Sequence, residues 1–266
     1  MTTYSDDLAL ALSMADAADL LTLDRFQSLD LVVETKPDLT PVSDADRAAE
    51  QLLRAHLEAA RPDDRIIGEE FGADQGLTKG SADPGRRWIL DPIDGTKNYV
   101  RGVPVWATLI ALVDGPDVVV GVVSAPALGR RWWAAKGEGA WAGGALVGTP
   151  RRIHVSEVSD LADASLTYSD TDGWPDGAAG FRQLADRCWR TRAYGDFWSY
   201  MLVAEGAADV ATEPDLSVWD VAALVPVIEE AGGRITSRTN GSVLDGGGAV
   251  TTNGRLHDAV LALVGG

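Results

Sequence analysis

The chain has 266 residues, 45% hydrophobic and 24% charged, which is enough to build a globular core. A formal net charge of −17, with no Lys/Arg cluster to offset it, argues against a nucleic-acid backbone or an anionic membrane as partner. Cys188 is the single cysteine, so no internal disulfide can form; a reducing, cytoplasmic setting is expected, with no signal peptide and no apolar run near ~20 residues.

Residues 6–22 carry Leu8, Ala11, Leu12, Ala15, Ala18 and Leu21 at helical spacing. A short strand is predicted at 31–34 and a loop at 38–41. Ser43-Asp44-Ala45-Asp46 opens a second helix, and Ser43 with Asp46 resembles a capping box, so Asp46 reads equally well as a cap or as a functional carboxylate. Residues 65–67 form a strand. Gly68-Glu69-Glu70-Phe71-Gly72 follows it, and on local grounds alone reads as solvated charge. Residues 73–86 are Gly/Asp/Ser-rich and predict a mobile loop.

Apolar runs at 105–113, 118–125, 131–135 and 140–142, separated by glycines, predict an antiparallel meander, with Trp132, Trp133 and Trp141 as packing residues. Residues 150–159 suit a hinge. Beyond it come a strand (164–168), an acidic loop (169–180), a helix (181–188), a strand (189–194) and a helix (197–205) with Asp196 as N-cap. A strand at 208–211 precedes Ser217-Val218-Trp219-Asp220, which opens a helix toward Gly232-Gly233 with Asp220 at a capping position and Pro226 as a kink. Strands at 234–236 and 249–251 and a helix at 256–264 complete the chain. His56, His154 and His257 show no metal-ligand spacing. Strands cluster in the first half and βα units alternate in the second, which predicts a layered αβ protein of two sub-domains, 1–150 and 151–266.

The chemistry concentrates at Trp88-Ile89-Leu90-Asp91-Pro92-Ile93-Asp94-Gly95-Thr96-Lys97-Asn98. Residues 88–90 read as a buried strand, with turn chemistry at Pro92 and Gly95 bringing Asp91 and Asp94 together. A helix start after Gly95 would aim backbone N–H groups at an anion. Two carboxylates beside such a site repel a phosphate unless a divalent cation lies between them, and hard oxygen ligands suit Mg²⁺. An ordinary Asp-rich turn with Asp94 or Thr96 as a cap is the competing reading. If Glu69, Asp91, Asp94 and Asp220 meet in space, neighbouring charges at ~4 Å cost roughly 4 kcal/mol per pair, so such a cluster needs shared protons or cations.

Gly68-Glu69-Glu70, Asp91-Pro92-Ile93-Asp94-Gly95-Thr96, and Trp219-Asp220-Val221-Ala222-Ala223 with Glu230-Ala231-Gly232-Gly233 resemble the signature motifs of the inositol monophosphatase-like family. The resemblance runs from the first helix to the last. It implies an α+β fold, a layered αβαβα sandwich of the inositol monophosphatase/fructose bisphosphatase type, and a Mg²⁺-dependent, Li⁺-sensitive phosphomonoesterase, homodimeric and acting on small molecules. Carried over residue by residue, Glu69, Asp91 and the Ile93 carbonyl would hold one metal; Asp91, Asp94 and Asp220 would hold a second; and Glu69 would hold a further water and share a third, weaker metal. Thr96, paired with Asp46, would orient and help deprotonate the attacking water, while the Gly95 and Thr96 N–H groups would hold phosphate oxygens.

The runs at 97–107, 39–46 and 192–197 are similar to the histidinol-phosphate phosphatase branch, which implies hydrolysis of L-histidinol phosphate in histidine synthesis. Inositol 1-phosphate and adenosine 3′,5′-bisphosphate are the alternatives. Histidinol carries an ammonium and an imidazole, so acidic Asp196 and Glu213 suit its leaving group. Lys97 and Arg192 are candidates for phosphate or for shaping the pocket, with Arg192 also readable as a surface or interface cation and Asp196 as a pure cap. A haloacid-dehalogenase-type aspartyl nucleophile needs Asp-x-Asp-Gly-Thr, one residue shorter than the spacing here, and the stretch lacks the alternating ligands of an EF-hand loop.

Overall fold

The structure, a computed structural model, describes residues 4–73, 85–144 and 148–265. Most of the predicted 73–86 loop, and residues 145–147, lie outside the described residues.

Helix α1 (Ser5–Arg25) buries Ala11, Met14, Ala15 and Ala18, a stripe at three- and four-residue spacing. Strands β1 (Val33–Thr35) and β2 (Pro41–Ser43) pair antiparallel, so Pro41, expected in a loop, is the first residue of a strand. Helix α2 (Asp44–Ala60) starts at the expected capping box. Then follow β3 (Arg65–Gly68), β4 (Gly72–Ala73), β5 (Arg87–Asp94), the short α3 (Thr96–Val100), β6 (Ala107–Asp114), β7 (Asp117–Ala125), β8 (Arg130–Ala135), β9 (Ala140–Gly144) and β10 (Gly148–Arg152). The meander gains one strand over the prediction, because Gly148–Arg152 pairs with β9 instead of opening the 150–159 connection.

The second half contains β11 (Ser165–Thr167), α4 (Ala179–Arg187), β12 (Arg190–Arg192), α5 (Asp196–Ala204), β13 (Val210–Glu213), α6 (Val218–Ala222), α7 (Leu224–Glu230), β14 (Arg234–Thr236), β15 (Ala249–Thr252) and α8 (His257–Val264). The helix expected from Ser217 to Gly232 is split at Ala223. Pro226 accounts for the break: it has no N–H to offer the Ala222 carbonyl.

Among the described residues the larger sheet runs β10-β9-β8-β7-β6-β5-β3-β4 and the second runs β12-β11-β13-β15-β14. Helices α1 and α2 cover one face of the larger sheet; α5, α6 and α7 fill the space between the sheets; α4 and α8 close the far side. This is the αβαβα sandwich expected. Alternation in β6 divides its side chains between two cores. Ala107, Leu109, Ala111 and Val113 face the central helices, whereas Ile110 and Leu112 face α1 and α2. The sheet and α7 approach so closely that a Cβ on Gly121 would stand 2.2 Å from the Ala223 carbonyl oxygen.

Candidate active site

Residues three apart in a regular strand point to opposite faces. Asp91 and Asp94 nevertheless converge, because the β5–β6 register shifts between them. The strand therefore runs to Asp94 instead of ending at Leu90, and a bulge replaces the turn expected at Pro92. The turn comes at Gly95, with φ +86°, where a Cβ would lie 2.9 Å from the Val105 carbonyl oxygen. Asp220 reaches the same point from the first turn of α6, and Asp91, Asp94 and Asp220 bring carboxylate oxygens within 4.8 Å of one another.

Each carboxylate is fixed by a neutral backbone donor. The Ile93 N–H donates to Asp91 Oδ1 at 3.0 Å, the Phe197 N–H to Asp94 Oδ2 at 2.7 Å, and the Ser217 N–H to Asp220 Oδ2 at 2.7 Å. These bonds orient the oxygens without neutralising them. Two ionised groups ~5 Å apart at an effective dielectric near 20 cost about 3 kcal/mol per pair. Burial first, and then the charges of Glu69, Asp94 and Asp220, hold Asp91 well above the usual carboxylate range; burial and then Asp196 and Asp220 do the same for Asp94. Burial pushes Asp220 up to about 6. Three pinned, converging, hard oxygen donors with unbalanced charge are a donor set that fits Mg²⁺.

Glu69 faces the same cleft from the end of β3. Burial raises it to about 7, against the pull of Lys36. Lys36 Nζ donates to Glu69 Oε1 at 2.7 Å and to Glu70 Oε1 at 2.6 Å, and although burial opposes its charge, those bonds raise its pKa. The turn is held from below by Glu50, fully buried, which accepts the Glu70 N–H at 2.7 Å. Glu69 and Glu70 are thus partly buried and paired, not the solvated charge that local sequence suggested.

Asp46 both caps α2 and meets Thr96 beside the cleft. Its Oδ2 accepts the Ser43 N–H at 2.8 Å, and its Oδ1 lies 3.1 Å from Thr96 Oγ1, itself 3.0 Å from the Ile93 carbonyl oxygen. Burial raises the Asp46 pKa.

The cleft, of about 280 Å³, is lined also by Asp196, Tyr200, Glu213 and Trp219, and by Gly95, Thr96 and Lys97. Burial pushes Asp196 to about 6, against nearby Lys97, and Glu213 to about 8, against its bond from Ser169. Asp196 does not cap α5, as the sequence suggested. It occupies the left-handed region (φ +50°), its carboxylate accepts from Asn98 Nδ2 at 2.8 Å, and Asp94 serves the helix end instead. Arg192 is not brought into the cleft: it is exposed on β12, its guanidinium on the Thr191 carbonyl at 2.7 Å. Lys36 and Ser169 were missed at the sequence level. Nothing in their spacing marks them, since their partners lie 33 and 44 residues away.

The chain is similar along its length to known proteins. A histidinol-phosphatase of Streptomyces coelicolor is 55% identical over 98% of this chain and 97% of its own length. A histidinol-phosphatase of Mycobacterium tuberculosis is 58% identical over 96% of each. Among solved structures, an inositol monophosphatase from Zymomonas mobilis superposes with a TM-score of 0.84 at 32% identity, covering 99% of both chains. The model of the inositol monophosphatase family matches residues 4–265, and with the αβαβα layers and the converging acidic loop it places the chain in that family.

Proposed function

We propose that the protein hydrolyses L-histidinol phosphate to L-histidinol and phosphate, a step of histidine synthesis. The observation that carries the reading is the pairing in one cleft of an acidic triad with a second acidic wall, Asp196 and Glu213. That wall offers charged acceptors to an ammonium and an imidazole, whereas a neutral polyol could use it only through its hydroxyls. The likeness to the two histidinol-phosphatases supports the same substrate.

Asp91, Asp94 and Asp220 would hold one Mg²⁺ ion; Glu69, Asp91 and the Ile93 carbonyl would hold another; and Glu69 would share a third. Bound magnesium supplies the positive charge that admits a phosphate and the acidity that makes water a nucleophile at neutral pH. The chain's own groups do the rest. The Gly95 and Thr96 N–H groups and the exposed Lys97 ammonium hold the phosphate in the cleft. Thr96 Oγ1, donating to Asp46, keeps a lone pair for the attacking water and passes its proton toward Asp46, whose raised pKa suits a proton acceptor. The water oxygen bonds to phosphorus as the ester P–O bond breaks; a solvent water protonates the leaving alkoxide to the alcohol, and the hydroxide so formed takes up the proton passed to Asp46. Asp196 and Glu213 orient that alcohol by its cationic groups. Arg192 has no part in this scheme. By family likeness the enzyme is a Li⁺-sensitive cytoplasmic homodimer; among the described residues no helix is long and apolar enough to cross a membrane.

The test is kcat/KM for histidinol phosphate against inositol 1-phosphate and adenosine 3′,5′-bisphosphate with Mg²⁺. A clear preference for either alternative overturns the assignment. In addition, Asp196→Ala should weaken turnover of histidinol phosphate far more than that of the neutral ester glycerol 2-phosphate; equal losses would reduce Asp196 to a structural role.

A further inference from the structure

Ser169 stands just past the end of β11, half-buried, behind the wall of the cleft and not on it. Its hydroxyl touches both acidic wall residues. The Asp196 N–H donates to Ser169 Oγ at 2.8 Å, and Ser169 Oγ lies 2.5 Å from Glu213 Oε1. A backbone N–H can only donate, so Ser169 Oγ accepts from Asp196, and its own proton is free to go to Glu213 Oε1 when that carboxylate is ionised.

The backbone end matters as well. Asp196 has φ +50°, a conformation that costs an L-residue of order 1–2 kcal/mol and persists only where surrounding contacts enforce it. Ser169 holds the N–H of that residue while Asn98 Nδ2 holds its carboxylate at 2.8 Å. Asp196 is therefore located from both ends and Glu213 is registered to it through one atom. The choice of a hydroxyl is chemically specific. Two carboxylates sharing a wall repel, and an arginine or lysine between them would relieve the repulsion but cancel the field that attracts a cation. A hydroxyl supplies a hydrogen bond and adds no charge.

We propose that Ser169 is a positioning residue for substrate selection: its Oγ couples Asp196 to Glu213 and sets the two carboxylates as one acceptor array for a cationic leaving group, an alkylammonium with an imidazole. The inference rests on the reading above, in which that wall faces the substrate's cation.

The experiment is steady-state kinetics of the full chain with Mg²⁺ on histidinol phosphate and on glycerol 2-phosphate, for the parent, Ser169→Ala and Ser169→Thr. Deleting one hydrogen bond to a charged group should raise KM for histidinol phosphate about tenfold, with a much smaller fall in kcat. The loss should exceed that on glycerol 2-phosphate by a similar factor, and Ser169→Thr, which keeps the hydroxyl, should restore most of it. Equal losses on both esters, an unchanged KM in Ser169→Ala, or a threonine variant no better than alanine would overturn the role of Ser169. A parent enzyme with no preference for the cationic ester overturns the substrate assignment instead. A preference left undiminished by Ser169→Ala overturns only the coupling.

Discussion

Asp220→Asn gives the sharpest test of whether the triad is an unbalanced charge cluster. The carboxylate titrates near 3.8 when unfolded and at about 6 when folded. Below pH 4 both states hold the proton and the group costs nothing. Between 3.8 and 6 the folded state holds a proton that the unfolded state has lost, so stability falls as pH rises, and above 6 the full penalty applies. A shift of about two units corresponds to about 3 kcal/mol. Asparagine removes the charge and keeps an oxygen for the Ser217 N–H, so the helix start survives. In chelator at pH 8, Asp220→Asn should therefore melt about 6 °C or more above the parent, with the advantage vanishing near pH 4. Adding Mg²⁺ should invert the order. At 1,000 times its dissociation constant the ion stabilises the parent by about 4.1 kcal/mol, more than the charge penalty of about 3 kcal/mol, while the variant, one ligand short, gains little. Differential scanning calorimetry over both variables reads all of this. A variant less stable than the parent in chelator at pH 8 would refute the reasoning.

Three further outcomes follow. Asp46→Asn and Thr96→Val should each lower kcat for phosphate release by about 10²-fold or more while leaving Mg²⁺-induced stabilisation in place, as calorimetry would register. Gly68→Ala would put a Cβ 2.0 Å from Glu50 Oε1, displacing the buried carboxylate that holds the Glu69–Glu70 turn, and should cost about 1–3 kcal/mol by chemical denaturation as well as weakening activity. Gly121→Ala, aimed at the Ala223 carbonyl oxygen, should destabilise by a similar amount and leave KM of the surviving folded enzyme unchanged.

The sequence announced its elements wherever one local rule sufficed. The stripe of α1, the capping box at Ser43, the alternation of the meander and the glycine stop after α7 all appear where periodicity and cap chemistry put them. What it did not announce depends on partners far along the chain. The β5 bulge is a property of the β5–β6 pair, so residues 88–94 alone suggested a turn. Asp196 looked like a cap because Asp preceding a helix usually is one; here Asp94, 103 residues away, accepts the Phe197 N–H and frees Asp196 for the cleft. Lys36 sits in an unremarkable loop and gains meaning only when β1 and β2 fold over the Glu69 turn.

Capping and chemistry were posed as alternatives for Asp46 and Asp220, and the geometry makes them one device. A carboxylate has two oxygens. In Asp46 the capping box takes Oδ2 and leaves Oδ1 on Thr96; in Asp220 the capping box takes Oδ2 while the side chain still offers an oxygen to the triad. Asp94 follows the same pattern, capping a helix from another part of the chain. A backbone N–H is the donor best suited to this purpose, since it fixes rotamer and direction yet brings no positive charge, so the carboxylate keeps its field. Pinning the same groups with arginines would hold them as firmly and would cancel the attraction for cations on which the proposed reaction depends. Helix starts therefore do two jobs here: they satisfy orphan N–H groups, and they deliver rigid, uncompensated carboxylates to one point.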